Sequence, residues 1–176
     1  MEFKENHLLI YYNEKSDYRK SHPDPTFENE WSFCAGDRLF KSSEGKYVFF
    51  HTTSIDPKTN ENKRYIKAYF LVKKILNGYR NPIVKGLKGG AKHAFDIPNH
   101  CVIIGDKNKS KVLQKPIEFN KKLAKKLEFN PPKKIQFNIE NKNGRTLSDL
   151  ECISSATRNY RWLSESDVEL LLSMAK

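Results

Sequence analysis

Apolar and polar positions alternate most clearly over residues 64–75 (RYIKAYFLVKKI). Ile66, Ala68, Phe70 and Val72 fall on one side, and Tyr65, Lys67, Tyr69, Leu71 and Lys73 on the other. A period of two belongs to an extended strand, so this segment predicts a strand with one core face and one face of mixed aromatic and basic groups. Residues 7–12 (HLLIYY) and 46–53 (KYVFFHTT) are dense in β-branched, aromatic and aliphatic side chains and predict two more strands. Shorter ones are expected at 38–40, at 101–104 (CVII, ended by Gly105-Asp106) and at 134–139. The polar stretch 13–36, with Pro23 and Pro25, predicts a long loop or short helix, and a loop of that length in a compact domain is often functional. Ser42 to Gly45 read as a turn, and 56–63 (DPKTNENK) as a solvated hairpin-type loop.

Helical signals are fewer. Asn120 can cap a helix reaching about Leu127, with Leu123 and Leu127 one turn apart, and Pro131-Pro132 stop it. Ser164 with Asp167 three residues later forms a capping-box pattern that opens a terminal helix, in which Val168, Leu171 and Leu172 share a face. No repeat or heptad run is visible. Five or six short strands in mixed order, with short connections, argue against a doubly wound parallel sheet. They predict an α+β fold: a small curved mixed sheet or open barrel with peripheral helices. The 176 residues fit one domain, with its core at about 7–140 and a C-terminal helical segment at 146–176.

Charge changes the picture more than composition does. The net charge is +11, but it is concentrated. Residues 58–92 carry 10 Lys/Arg against 1 Asp/Glu, and residues 107–145 carry 12 against 3, so each block stands at +9. Residues 1–57 carry 7 against 10, a balance of −3. Two positive central blocks imply an acidic partner, most economically the phosphate backbone of DNA or RNA. A lysine-rich surface serving solubility alone is the plainer alternative. No apolar run approaches membrane-spanning length and no signal-peptide pattern opens the chain, so a cytoplasmic protein without a membrane partner is expected. The oligomeric state is left open.

Cys34, Cys101 and Cys152 are far apart, and His7, His22, His51, His93 and His100 offer no pair at ligand spacing. Neither a metal nor any other cofactor is therefore expected. The loop 85–92 (KGLKGGAK) interleaves Gly86, Gly89 and Gly90 with Lys85, Lys88 and Lys92. Glycines let successive N–H groups turn toward one anion while lysines neutralise it, so these three lysines are candidate phosphate contacts. The order of a nucleotide-hydrolysing P-loop is absent. Arg158 and Arg161, in the segment RNYRW (158–162), are further phosphate candidates. Alternatively, Tyr160 and Trp162 seal the terminal helix against the sheet.

The order of these features resembles a family. An apolar strand, a Trp-containing loop leading to Gly36-Asp37, the strand VFFHTT (48–53) and the long strand RYIKAYFLVKKI (64–75) are similar to the PUA-like barrels. The likeness is nearest to their EVE and YTH branches and to the nucleotide-modification-associated domains, and it covers about residues 7–76. It implies an open pseudo-barrel whose pocket accepts one flipped, possibly modified, nucleobase. Carried onto this chain, it points to Tyr12, Asn13, Trp31, His51 and Thr53. Stacking needs flat faces, which Trp31 and Phe33 can supply; Asn13, His51 and Thr53 offer donors and acceptors for a base edge. The paired tryptophans of a methyl-cage reader are absent.

Two other functions compete with a binding module. Pro23-Asp24 with Glu44-Gly45-Lys46 satisfies the letter of a metal-dependent nuclease pattern, in which two carboxylates hold Mg²⁺ and a lysine supports the attacking water. Glu44 sits in a turn-like context, so no catalytic residue is assigned and activity is left open between a binding module and a nucleic-acid-processing enzyme. The remaining alternative is an adaptor whose basic surface meets an acidic protein.

Overall fold

The structure is a computed structural model that describes residues 6–14, 23–36, 43–158 and 160–176. Its strands are β1 (His7–Tyr11), β2 (Ser32–Cys34), β3 (Tyr47–Ile55), β4 (Asn62–Asn77), β5 (Cys101–Gly105), β6 (Lys111–Glu118) and β7 (Tyr160–Leu163). Its helices are α1 (Pro82–Lys85), α2 (Lys121–Lys126), α3 (Asp149–Ala156) and α4 (Glu165–Met174), with a 3-10 helix at Gly90–Phe95. The predicted α+β class with a mixed sheet is what the chain adopts. Seven strands join in the order β2-β5-β4-β3-β1-β7, β6 also pairing with β4, and among the described residues the sheet does not close. Of the strand pairs among these residues, β1–β3 alone is parallel.

β4 is the longest element, and its two edges organise the rest. One edge takes β3 over Leu71↔Tyr47 to Asn62↔Ile55. The other takes β5, from Asn77↔Cys101 to Val72↔Gly105, and then β6, from Tyr69↔Lys111 to Tyr65↔Glu118. Residues 106–110 loop out between them, held by Asp106 N–H donating to the Leu71 carbonyl (2.8 Å) and Ser110 Oγ accepting from Leu71 N–H (3.2 Å). Register shifts fall between Ile66 and Ala68, where β4 has one residue more than β3, and between Val72 and Lys74, where it has one more than β5; each bends the strand and re-aims its side chains. The effect shows in the cores. Ile66 joins Leu9, Phe49, Ile117, Ile153 and Leu171 beneath the helices. Phe70 and Val72 join Ile10, Phe33, Phe50 and Ile103 in an aromatic-rich core on the opposite face.

The terminal helix begins as the capping box predicts. Ser164 Oγ accepts from Asp167 N–H, and the Asp167 carboxylate accepts from Ser164 N–H. That carboxylate also accepts the N–H groups of Glu128 (2.7 Å) and Phe129 (2.8 Å), so a buried charge is fully used in tying α4 to the end of α2. Asn120 caps α2 by accepting from Leu123 N–H.

Several segments depart from expectation, among them β2, which lies in the stretch 13–36 expected as a loop or short helix. Residues 134–139 form no strand: Ile135 enters the helix-side core from irregular chain, while Lys134 Nζ donates to the carbonyls of Lys125 and Leu127 that end α2. β6 and β7 are strands that the periodicity does not announce. β6 buries only Leu113 and Ile117, four residues apart, and contains Pro116; β7 is the Tyr160–Leu163 segment, antiparallel to β1. The expected strand at 38–40 lies outside the described residues.

Trp31 is a correction. The sequence places it in a polar loop as a pocket wall, yet only 8% of its surface is exposed, and its ring meets Phe70 edge-on at 5.6 Å. Its backbone is held at φ 53°, left-handed for a non-glycine residue, by Trp31 N–H donating to the Phe27 carbonyl and Gly105 N–H donating to the Trp31 carbonyl. A tryptophan so placed is a core residue. Trp31→Ala is expected to cost about 3–5 kcal/mol of stability in urea unfolding; a loss below about 1 kcal/mol would return it to the surface.

Candidate nucleic-acid interface

The residues expected to form a base pocket do not meet in one place. Tyr12, Trp31 and Phe33 lie in the aromatic core, where Tyr12 and Phe33 contact the Phe50 ring at 6.4 and 5.3 Å. His51 alternates with Phe50 along β3 and therefore faces the other way, its ring 5.6 Å from Phe119 on the helix side. Thr53, two residues on, is half-buried, and Asn13 is exposed. The sheet itself separates the set.

His51 is fully buried, and among the described residues neither ring nitrogen has a hydrogen-bond partner. Burial, and then the nearby Arg64 guanidinium, hold its pKa well below 6.5. Arg64 is itself buried against the Tyr11 ring, 4.5 Å from its centroid, and donates to Ser154. These groups form a buried polar seam under the sheet, remote from an open base site.

The glycine-rich loop also resolves differently. Its residues make the end of α1 and the 3-10 helix, and its successive N–H groups do converge on one anion, which is the chain's own Glu30. Lys88 N–H donates to that carboxylate at 2.6 Å, and Gly89 N–H at 3.1 and 3.2 Å. Gly89 is needed there, since a Cβ would run into the Thr26 side chain. Lys85, Lys88 and Lys92 remain exposed, but the amide nest is filled from within. Arg161 is likewise engaged: its guanidinium lies 4.0 Å from the Phe129 ring centroid and donates to the Lys133 carbonyl at 2.6 Å. Arg158 is exposed. Tyr160 and Trp162 stack on each other and pack at the margin of the aromatic core, on the face of the sheet opposite the terminal helix, so they do not seal that helix.

Positive charge gathers elsewhere. A groove of about 1000 Å³ runs between the tip of the β3–β4 hairpin, the end of β6, α2 and the C-terminal residues. Lys58, Lys67, Lys115, Lys122, Lys126 and Lys176 line it, against the acids Asp56 and Glu118. Asp56 is neutralised locally by Lys63 at 2.6 Å and by Lys58 N–H at 2.7 Å, which hold its carboxyl at about 2. Lys67 pairs with Glu14 at 2.9 Å. Among the described residues, Lys115, Lys122, Lys126 and Lys176 have no carboxylate within 4.0 Å. The helix geometry explains their grouping. Leu123 and Ala124 are buried, so Lys122 and Lys126, one turn apart, face out together. Tyr65, half-buried beside Asp56, adds an aromatic ring, and Ile55 (50% exposed) and Met174 (44%) add apolar surface.

Sequence reasoning held part of this site without assembling it. The mixed basic and aromatic face of β4 supplies Tyr65 and Lys67, and the second +9 block supplies Lys115, Lys122 and Lys126. The nuclease pattern gains no support from geometry. The Asp24 carboxylate accepts from Cys34 N–H at 3.0 Å, Glu44 precedes β3 in a turn, and Lys46 pairs with Glu165 of α4 at 3.2 Å. One cluster of possible metal ligands, Cys34, His93 and His100, lies at the other end of β4. Spacing along the chain concealed it. Comparison with family models, curated proteins and solved structures finds no significant match.

The buried His51 yields a signed prediction. In the unfolded chain it takes up a proton near pH 6.5, whereas in the fold it stays neutral well below that value. Its contribution is thus fully present above about pH 6.5 and is lost as pH falls below it, by up to about 1.4 kcal/mol per pH unit. His7, whose pKa is lowered by burial despite Glu165, acts in the same direction. Urea unfolding at pH 7.5, 6 and 5 should show this slope, and His51→Phe should make it shallower; an unchanged slope would contradict the assignment.

Proposed function

We propose that this chain is a nucleic-acid-binding module that holds a phosphate backbone along the groove between the β3–β4 hairpin, β6 and α2. The observation that carries the reading is the convergence of six lysines on one concave surface with two acids, of which Asp56 is already paired with Lys63. Phosphates entering it would meet mobile ammonium groups, and released counterions would supply much of the affinity. Tyr65 is the ring available in the groove for stacking on a base, a role the sequence reading gives to Trp31. The PUA-like resemblance belongs to the proposal at the level of a curled mixed sheet around an aromatic core. Recognition of a flipped or modified base, if this chain performs it, falls to the groove rather than to Tyr12, Trp31 and Phe33, which are engaged in packing.

Fluorescence anisotropy with labelled single-stranded and duplex DNA and RNA tests the proposal. Affinity should fall steeply with salt. Replacing Lys115, Lys122 and Lys126 with alanine should reduce the slope of log K against log salt by about 0.7–0.9 for each phosphate that is no longer neutralised. Replacing Lys85, Lys88 and Lys92 should change affinity far less. Binding that is salt-independent, or abolished in the second triple variant and intact in the first, would overturn the groove assignment.

A further inference from the structure

We propose that Cys34, His93 and His100 form a binding site for Zn²⁺, with three protein ligands and a solvent-facing fourth position. The three residues are 59 and 7 positions apart along the chain (34, 93 and 100), yet their ligand atoms all lie within 4.8 Å of one another. Cys34 Sγ and His100 Nδ1 are 3.3 Å apart. With Zn–S near 2.3 Å and Zn–N near 2.0–2.1 Å, a tetrahedral site places sulfur and nitrogen about 3.6 Å apart and two nitrogens about 3.3 Å apart. One edge of the tetrahedron is therefore in place to within a few tenths of an ångström.

The surroundings set these groups for coordination. His93 Nδ1 lies 2.5 Å from the Gly90 carbonyl, which can only accept, so Nδ1 carries the proton and Nε2 keeps its lone pair. A ligating histidine fixed through its other nitrogen is the usual outer-shell arrangement. Cys34 ends β2, its N–H donating to the buried Asp24 carboxylate at 3.0 Å. His100 immediately precedes β5, and its carbonyl accepts from Gly78 N–H at 2.8 Å. His93 sits in the 3-10 helix, which Gly90 N–H anchors to the Pro23 carbonyl at 2.9 Å. Each ligand thus stands on a separately anchored element. Sulfur with two imidazoles is a borderline-soft set that favours zinc over magnesium or calcium. Both histidines are half-buried, so water can reach the metal, and three protein ligands is the number found in open zinc sites. Binding would displace the thiol proton and join β2 and the 3-10 helix to the start of β5. The site stands at the Asn77 end of β4, away from the lysine groove, and does not depend on the proposed function.

The full chain, treated with chelator and titrated with Co²⁺ as a spectroscopic substitute for Zn²⁺, should develop tetrahedral visible bands and a near-ultraviolet thiolate charge-transfer band at one equivalent. Zn²⁺ should displace both and raise the melting temperature. Cys34→Ser should abolish the charge-transfer band, and His93→Ala and His100→Ala should each weaken binding by at least about tenfold. Cys152→Ser, remote in the helix-side layer, should leave the titration unchanged. Circular dichroism checks the fold of each variant, and if Cys34→Ser fails to fold, the two histidine variants decide. An octahedral cobalt spectrum, a charge-transfer band that survives Cys34→Ser, or affinity unaffected by both histidine variants would overturn the site.

Discussion

Pairing along β4 is the constraint on which the other elements depend. A 16-residue strand with partners on both edges must satisfy nearly all its backbone groups, and β3 on one side with β5 and β6 on the other do so. The two register shifts reconcile that length with a curled sheet. They turn Ile66 toward the helices and Phe70 toward the aromatic core, so one strand serves two cores. β1 then adds parallel to β3, and β7 to β1, which carries the C-terminal segment back across the sheet and sets α4 beneath it.

This division decides where chemistry can sit. Both faces of the sheet are occupied by packed apolar side chains, so exposed functional groups are left to the ends of β4. At the hairpin end, β6 leads directly into α2, whose buried Leu123 and Ala124 turn Lys122 and Lys126 outward beside Lys115. At the Asn77 end, β2 and the 3-10 helix close over β5 and bring Cys34, His93 and His100 together. The Glu30 carboxylate in the glycine-rich loop shows the same economy. A loop shaped for an anion is satisfied by an acid of the chain, and its lysines remain as surface charge.

Much of the fold was legible because local physics agreed with tertiary structure. The alternation over residues 64–75, the aromatic run before Thr53 and the Ser164–Asp167 box each mark elements that exist. β6 was not legible, since it buries residues four apart and exposes Gln114 and Lys115 between them, a pattern set by its neighbours rather than by a strand period. Trp31 was misread for a related reason. Its sequence neighbours are polar, but a left-handed backbone at that residue turns the indole into the core. The groove was half legible: the positive blocks were plain, but which lysines share a surface depends on the β6–α2 connection. The Cys34–His93–His100 cluster carries no local signal, because its members come from three separate elements.

The central claim is that nucleic acid lies in the lysine groove, and amine-modification footprinting read by mass spectrometry addresses it most directly. Lysine reactivity is compared residue by residue in the free protein and in complex with a saturating oligonucleotide. The account predicts strong protection of Lys115, Lys122 and Lys126, with Lys85, Lys88 and Lys92 reacting as in the free protein. Protection confined to the latter three, or no change at any groove lysine, would contradict it.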